Sequence, residues 1–208
     1  MDKKVCIIVG AGDFFEKEIK KSENDLIIAA DGGLLNLEKI GIVPHIVVGD
    51  FDSLGYVPKC ENIITLNRDK DITDTWAGIF EGIKRGYKKF IIYGGTGGRE
   101  SHTVANIQNL VKLTRMGFCG KLISKSEIIT AVKDGEITFD KNYKGFISVF
   151  AYSDKAEGVF EENLKYELTD AVLTNGEPLG VSNEFIGKEA KVGVKDGIIL
   201  ITYDRNED

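Results

Sequence analysis

Five aspartates in the first half of the chain stand where chemistry could be done. Asp50 and Asp52 flank Phe51 directly beyond the apolar run Ile46-Val47-Val48 and Gly49. In an extended segment, residues two apart point to the same side, so both carboxylates can face one ion or phosphate group. An Asx turn accounts for one Asp after a strand better than for two. Asp31 ends the run Leu26–Ala30, and Asp71 and Asp74 follow Ile63–Leu66. Carboxylates in this number suit Mg²⁺, which binds through one or two of them together with waters and substrate phosphates.

A second constellation is Gly94-Gly95-Thr96-Gly97-Gly98-Arg99. Glycines let the backbone approach an anion, the helix that follows offers its positive end, and Arg99 can pair with phosphate oxygens in a bidentate fork. A flexible turn with a solvated Arg leaves so many glycines unexplained, because ordering them costs entropy with no return. His102 opens the following helix and is placed to meet an anion or base. His45, after Pro44, reads as a surface or strand-start residue. No G-x-x-x-x-G-K-[ST] run occurs, and no Ser/His/Asp or Cys/His arrangement is convincing from the sequence.

These residues need elements to hold them. Apolar runs at Val5–Val9, Leu26–Ala30, Ile46–Val48, Ile63–Leu66 and Phe90–Tyr93 read as buried strands. Helical spacing follows Asp13 as N-cap, with Phe14, Phe15 and Ile19 inward. It recurs over Leu34–Ile40, over Trp76, Ile79, Phe80 and Ile83, and from Val104 through Ile107, Leu110, Val111 and Leu113. By that spacing Trp76 is a core residue. The alternation makes a βαβ series, a Rossmann-like parallel sheet whose carboxyl edge carries Asp31, Asp50 and the glycine loop. Gly10-Ala11-Gly12 imitates the start of a dinucleotide fingerprint, but Phe15 stands where a small third residue must let helix and strand pack, which argues against NAD.

From about Lys121 short alternating runs replace helical spacing: Glu127–Val132, Glu136–Phe139, Gly145–Tyr152, Ala190–Val194 and Ile198–Thr202. The same word, Val-Lys-Asp-Gly, joins two pairs of runs at 132–135 and 194–197, and Asp-Gly predicts a two-residue hairpin turn. An antiparallel sandwich or barrel is expected. The division falls into 1–124, an α/β catalytic domain, and 125–208, an antiparallel β domain.

A net charge of -6 argues against general nucleic-acid binding, which needs a basic footprint. The three cysteines, Cys6, Cys60 and Cys119, are widely spaced and expected as buried free thiols. The chain shows neither a signal-peptide core nor an apolar stretch of membrane-span length, so a cytoplasmic protein without membrane partners is expected.

Taken together, Ala30-Asp31-Gly32-Gly33, Gly49-Asp50-Phe51-Asp52-Ser53, Lys70-Asp71-x-Thr73-Asp74 and Gly97-Gly98-Arg99-x-x-His102 resemble the thiamine pyrophosphokinase family. Leu164-Lys165-Tyr166 and Ser182-Asn183-Glu184 are similar to its C-terminal signature. The resemblance implies a catalytic α/β domain followed by a β-sandwich, in a homodimer with the acceptor site at the subunit interface. It implies Mg²⁺-dependent transfer of the ATP β,γ-pyrophosphoryl group to thiamine, releasing AMP. Asp50, Asp52 and Asp74 are then the metal candidates, and Asp31 and Asp71 assist at nucleotide or acceptor. Lys70, Gly97, Gly98, Arg99 and His102 would bind the nucleotide, with Arg99 clamping phosphates. Tyr166, Ser182 and Asn183 would bind thiamine. The chain departs from the family in carrying Ser101 where Asp is usual, Asn163 and Glu167 around Leu-Lys-Tyr, and His45 after Pro44. Two alternatives stay open: a pyrophosphokinase for another alcohol such as a pterin, and a non-catalytic nucleotide-sensing module.

Overall fold

The computed structural model describes residues 4–14, 19, 21–51, 56, 58, 60, 62–67 and 72–206. They divide into two compact units, one of Met1–Asn109 with Phe118–Lys125 and one of Leu110–Gly117 with Ser126–Asp208. The chain is a mixed α/β protein.

The first unit is built on β1 (Cys6–Val9), β2 (Leu26–Ala30), β3 (Ile46–Gly49), β4 (Ile63–Thr65), β5 (Lys89–Tyr93) and β6 (Cys119–Ile123). β1, β2 and β3 are buried at every residue, which is why their sequences are unbroken apolar runs and not alternating ones. All the pairings are parallel, and the spatial order is β6-β5-β1-β2-β3-β4. The chain thus winds outward from β1 through β4, then returns to the other side of β1 with β5. That reversal opens a crevice at the carboxyl ends of β1 and β5, the place where open α/β sheets bind ligands.

Helices α1 (Gly33–Lys39), α2 (Asp74–Lys84) and α3 (Glu100–Arg115) follow strand ends. On α2, Trp76, Ala77 and Ile79 are buried, as the spacing predicts for Trp76. Gly82 is needed there: a Cβ would stand 2.6 Å from Cys6 Sγ and 2.8 Å from a Phe90 ring carbon. Two residues expected inward are not. Phe80 is 44% and Val104 55% exposed; Phe80 instead lies under the Lys84 ammonium, 4.6 Å from its ring centroid. Asp13 and Phe14 are described, but the proposed helix after them falls on Phe15 and neighbours outside the described residues. Of the three thiols, Cys6 is buried, Cys60 half-buried and Cys119 exposed, so the expectation of uniform burial fails at Cys119, which opens its strand.

The second unit contains β7 (Glu127–Phe139), β8 (Phe146–Ala151), β9 (Lys155–Glu162), β10 (Leu168–Thr174), β11 (Gly180–Glu184) and β12 (Ala190–Asp204). Its pairings are antiparallel. Phe139, Ile147, Val149, Val159, Leu173, Val192, Ile199, Ile201 and Tyr203 form its core. Phe139 and Tyr203 meet edge-on at 5.0 Å.

The two Lys-Asp-Gly words do not make hairpins. Each lies inside one continuous strand, β7 or β12, and the two words face each other across the ladder, Val194 opposite Gly135 and Ile198 opposite Lys133, with a register shift between. Asp134 has φ 46° and Gly197 φ 116°, and the Gly197 N–H donates to Asp134 Oδ1 at 2.9 Å. Asp-Gly supplies positive φ as readily to a bulge as to a turn. Here the bulge lies where β12 changes neighbours, from β9 at Lys191–Asp196 to β8 at Ile199–Tyr203.

Candidate active site

β1 and β5 both run into glycine, and the loops beyond them are joined main chain to main chain. The Gly10 N–H donates to the Tyr93 carbonyl, that of Gly12 to Gly94 and that of Asp13 to Thr96, each at 2.8 Å. Only glycine permits this approach: a Cβ on Gly94 would lie 2.3 Å from the Gly10 oxygen. A cavity of about 560 Å³ opens beside the joined loops, lined also by Asp31 and by the first turns of α2 and α3.

Each polar wall has a local cause. Asp31 leaves β2 with φ 48°, a conformation Asp tolerates, and its N–H donates to the Val48 carbonyl at 2.7 Å. Gly49 leaves room for it, since a Cβ there would stand 3.1 Å from the Asp31 Cα. Thr73 caps α2, its Oγ1 accepting from the Trp76 N–H at 3.1 Å. The cap places Asp74 in the first turn, where the positive end of the helix favours a carboxylate. At α3 the Arg99 carbonyl accepts from the His102 N–H at 2.9 Å. Gly98, Arg99 and His102 line the cavity, with Arg99 and His102 exposed to it and to solvent.

Asp31, Asp74, Gly98, Arg99 and His102 are therefore gathered around one cavity. Gly97 lies in the same loop at φ 76°, with an Asp13 carboxylate oxygen 2.1 Å from where its Cβ would be, so it shapes the loop without lining the cavity. Asp50 follows β3 directly yet is not among the lining residues. The extended backbone expected between Asp50 and Asp52 is absent: Phe51 has φ 61° and buries its ring with Ile7, Val9, Ile27, Leu34, Leu37 and Val47. Asp52, Lys70 and Asp71 lie outside the described residues.

Among the described residues no group of three or more His, Cys, Asp or Glu could hold a metal ion. The Asp31 and Asp74 carboxylates and the Thr73 and Thr75 hydroxyls nonetheless give the cavity hard oxygen donors of the kind Mg²⁺ takes. Sequence reasoning quoted Thr73 only as part of a motif, weighed Gly10-Ala11-Gly12 only as a dinucleotide fingerprint, and passed over Thr75. It also missed Asn106, which is 6% exposed and donates to the Gly95 carbonyl at 2.8 Å. A polar residue inside the apolar stripe of α3 was the available signal. His45, at the start of β3, accepts from the Ile27 N–H through Nδ1 at 2.9 Å, a strand-start role.

Residues 15–118 match the family model described as the catalytic domain of thiamin pyrophosphokinase, and residues 134–199 match that of its vitamin B1 binding domain. The chain belongs to the thiamin pyrophosphokinase family. It is 28% identical over 186 residues to the thiamine pyrophosphokinase of Bacillus subtilis (strain 168), spanning 86% of this chain and 87% of that relative. It is 24% identical over 170 residues to thiamin pyrophosphokinase 1 of Caenorhabditis elegans, spanning 76% of this chain and 70% of the relative. The crystal structure of thiamine pyrophosphokinase from Bacillus subtilis superposes with a TM-score of 0.87 at 26% identity, over 99% of this chain and 100% of that one.

The residues that resemble the C-terminal signature of the thiamin pyrophosphokinase family form a cluster in the second unit. Asn183, 5% exposed, spends its whole carboxamide inside the protein. Its Oδ1 accepts from the N–H groups of Tyr166 and Glu184, both at 2.9 Å. Its Nδ2 donates to the Tyr166 carbonyl at 2.5 Å and to Glu161 Oε2 at 2.6 Å. Asn183 therefore fixes the Tyr166 main chain and has no directional group left to offer, contrary to expectation. Tyr166 is 61% exposed, its ring 5.5 Å from the Lys165 ammonium, which also pairs with Glu184 at 2.6 Å. Ser182 is exposed at φ 61°, its N–H donating to Ser148 Oγ at 3.0 Å. Beneath them Glu161 is 1% exposed, and burial pushes its carboxyl up to about 7 against the opposing hydrogen bond from Asn183.

Proposed function

We propose that this chain is a thiamine pyrophosphokinase, transferring the β,γ-pyrophosphoryl group of ATP to the thiamine hydroxyl and releasing AMP. The observation that carries the reading is the cavity at the reversal of strand order, where Asp31, Asp74, Gly98, Arg99 and His102 converge in a chain matched by both family models. Neither a pterin acceptor nor a purely nucleotide-sensing role gains anything from the comparisons.

Pyrophosphoryl transfer needs in-line placement of the acceptor and neutralisation of developing charge more than covalent help. Arg99, at the positive end of α3, would clamp phosphate oxygens through its planar fork, with His102 and the Gly97-Gly98 backbone beside it. Lys70 is assigned to the nucleotide on the resemblance alone. Asp74, with Asp50 and Asp52, would hold Mg²⁺. When bound, the ion neutralises phosphate charge and orients the pyrophosphoryl group. Asp31 or Asp71 would accept the proton of the thiamine hydroxyl. Residues 125–208 are read as a β-sandwich that presents Tyr166 and Ser182 to thiamine, with Asn183 holding Tyr166, and residues 1–124 as the catalytic domain. Exposed Phe146, Leu179, Val181 and Ile186 on the second unit favour a homodimer with the acceptor site at the subunit interface. No helix among the described residues is long and apolar enough to cross a membrane, and a cytoplasmic enzyme is proposed.

Incubating the protein with MgATP and thiamine, with products identified by mass spectrometry, tests the reading. Thiamine diphosphate and AMP are expected in equal amounts. ADP formation, or ATP binding without turnover, would overturn it.

A further inference from the structure

The catalytic family model begins at residue 15, so Gly10-Ala11-Gly12 takes no part in the match. The loop nevertheless walls the cavity. It is held from two sides. On one, its Gly10 and Gly12 N–H groups, and that of Asp13, are bonded to carbonyls at the end of β5 and in the loop beyond it. A Cβ on Gly12 would lie 2.2 Å from the Thr96 oxygen, so no side chain fits.

On the other side stands Asn36 of α1, 8% exposed between buried Leu34 and Leu37. An apolar residue would be ordinary there, and a buried carboxamide is costly unless its hydrogen bonds are made. They are made to this loop: Asn36 Nδ2 donates to the Gly10 carbonyl at 2.9 Å and to the Gly12 carbonyl at 3.3 Å. The carbonyls of both glycines are thereby turned toward α1. Among the described residues the Ala11 N–H has no acceptor, and Ala11 itself is exposed on the cavity wall. A donor without a partner, beside the smallest side chain that is not glycine, suits close approach by a ribose or phosphate oxygen.

We propose that Gly10-Ala11-Gly12 is a nucleotide-contacting wall of the cavity and that Asn36 is its positioning residue. The proposal rests on reading the cavity as the ATP site. Asn36 acts through the loop: without its two donors, the Gly10 and Gly12 carbonyls turn and the Ala11 N–H leaves its direction.

The test is calorimetric titration of the magnesium complex of a non-hydrolysable ATP analogue, AMP-PCP, into the full chain and three variants. Ala11→Glu puts a carboxylate beside the phosphates at an exposed position that leaves folding intact, and is expected to weaken binding about tenfold or more. Asn36→Leu keeps the branched shape and the number of heavy atoms but removes both donors. It is expected to raise the ATP KM severalfold while the thiamine KM and kcat move less than about twofold, a split that general destabilisation does not produce. Arg99→Ala reports on the cavity itself. If Arg99→Ala weakens binding while Ala11→Glu and Asn36→Leu bind like the parent, the proposal is overturned and the cavity reading stands. If none of the three weakens binding, the cavity reading falls and takes the proposal with it. Should Asn36→Leu fail to fold, hydrogen exchange on the unaltered protein decides. Exchange over 10–14 must slow on adding Mg·AMP-PCP, and unchanged exchange there overturns the proposal.

Discussion

Replacing Glu161 by Gln isolates one buried ionisable group, and its effect on stability has a defined pH dependence. Glu161 lies on β9 with 1% of its surface exposed. Oε2 accepts from Asn183 Nδ2 at 2.6 Å, and Oε1 is buried with no hydrogen-bond partner among the described residues. A carboxylate there leaves one charged oxygen unsolvated, and burial accordingly raises the acid from 4.5 to about 7. The folded state thus holds a proton that the unfolded state has released between those two values. Stability from this group is complete below about pH 4.5 and is lost as pH rises through about 7. At about 1.4 kcal/mol per pH unit the loss is on the order of 3 kcal/mol. Gln has no proton to lose and keeps an acceptor for Asn183, so Glu161→Gln removes this slope whatever its constant offset. Urea unfolding from pH 4 to 8 measures it, for both proteins. The single tryptophan, Trp76, lies in the first unit, so near-ultraviolet circular dichroism of the Tyr143 and Tyr203 cluster is the appropriate probe. Parent minus variant stability should fall by about 3 kcal/mol across that range and level off above it. A difference that does not change with pH would refute the reasoning, because it would mean that Glu161 ionises normally in the fold.

Other outcomes follow from the cavity and the C-terminal cluster. Asp74→Asn keeps shape but removes a hard anionic ligand, and turnover should fall at least about a hundredfold with Trp76 fluorescence unchanged. Arg99→Lys keeps the charge and loses the fork, so kcat/KM for MgATP should drop about tenfold or more with the melting temperature unmoved; parental kinetics would return Arg99 to the solvent. Tyr166→Ala removes an exposed ring worth roughly 0.5–1.5 kcal/mol in stacking or cation–π contact. Steady-state kinetics should then show a higher thiamine KM beside an unchanged ATP KM.

Some of this molecule was legible because a single physical signal decided it. Leu26–Ala30 is five apolar residues between Asp25 and Asp31, and it is a strand with those bounds because both its faces are covered. Trp76 and Ile79 recur at helical spacing and are buried, but Phe80 on the same pattern is exposed: spacing defines a stripe, not its width. Asp134-Gly135 was misread because turns and bulges ask the same φ of the chain, and the partner strand that decides between them lies some sixty residues away, opposite Ile198 and Val194.

The site was legible in its parts and not in its assembly. Asp31, Asp74 and Arg99 announce themselves by type and by position after strands, but strand order is not written in local periodicity. Placing β5 beside β1 brings Gly94 against Gly10 and turns two separate glycine loops into one wall. The missing third glycine of a dinucleotide fingerprint, with Phe15 in its place, counted against one cofactor. It did not count against the loop, whose glycines answer to a different demand: carbonyls of the neighbouring loop stand where their side chains would be. The same demand explains Asn36. A helix face that packs on main chain has to meet carbonyl groups as well as methyls, and a buried carboxamide is the side chain that can donate to two of them at once. A buried asparagine on the inner face of a helix beside a glycine loop is therefore a signal of backbone-to-backbone contact, and it can be sought in a sequence before any strand order is known.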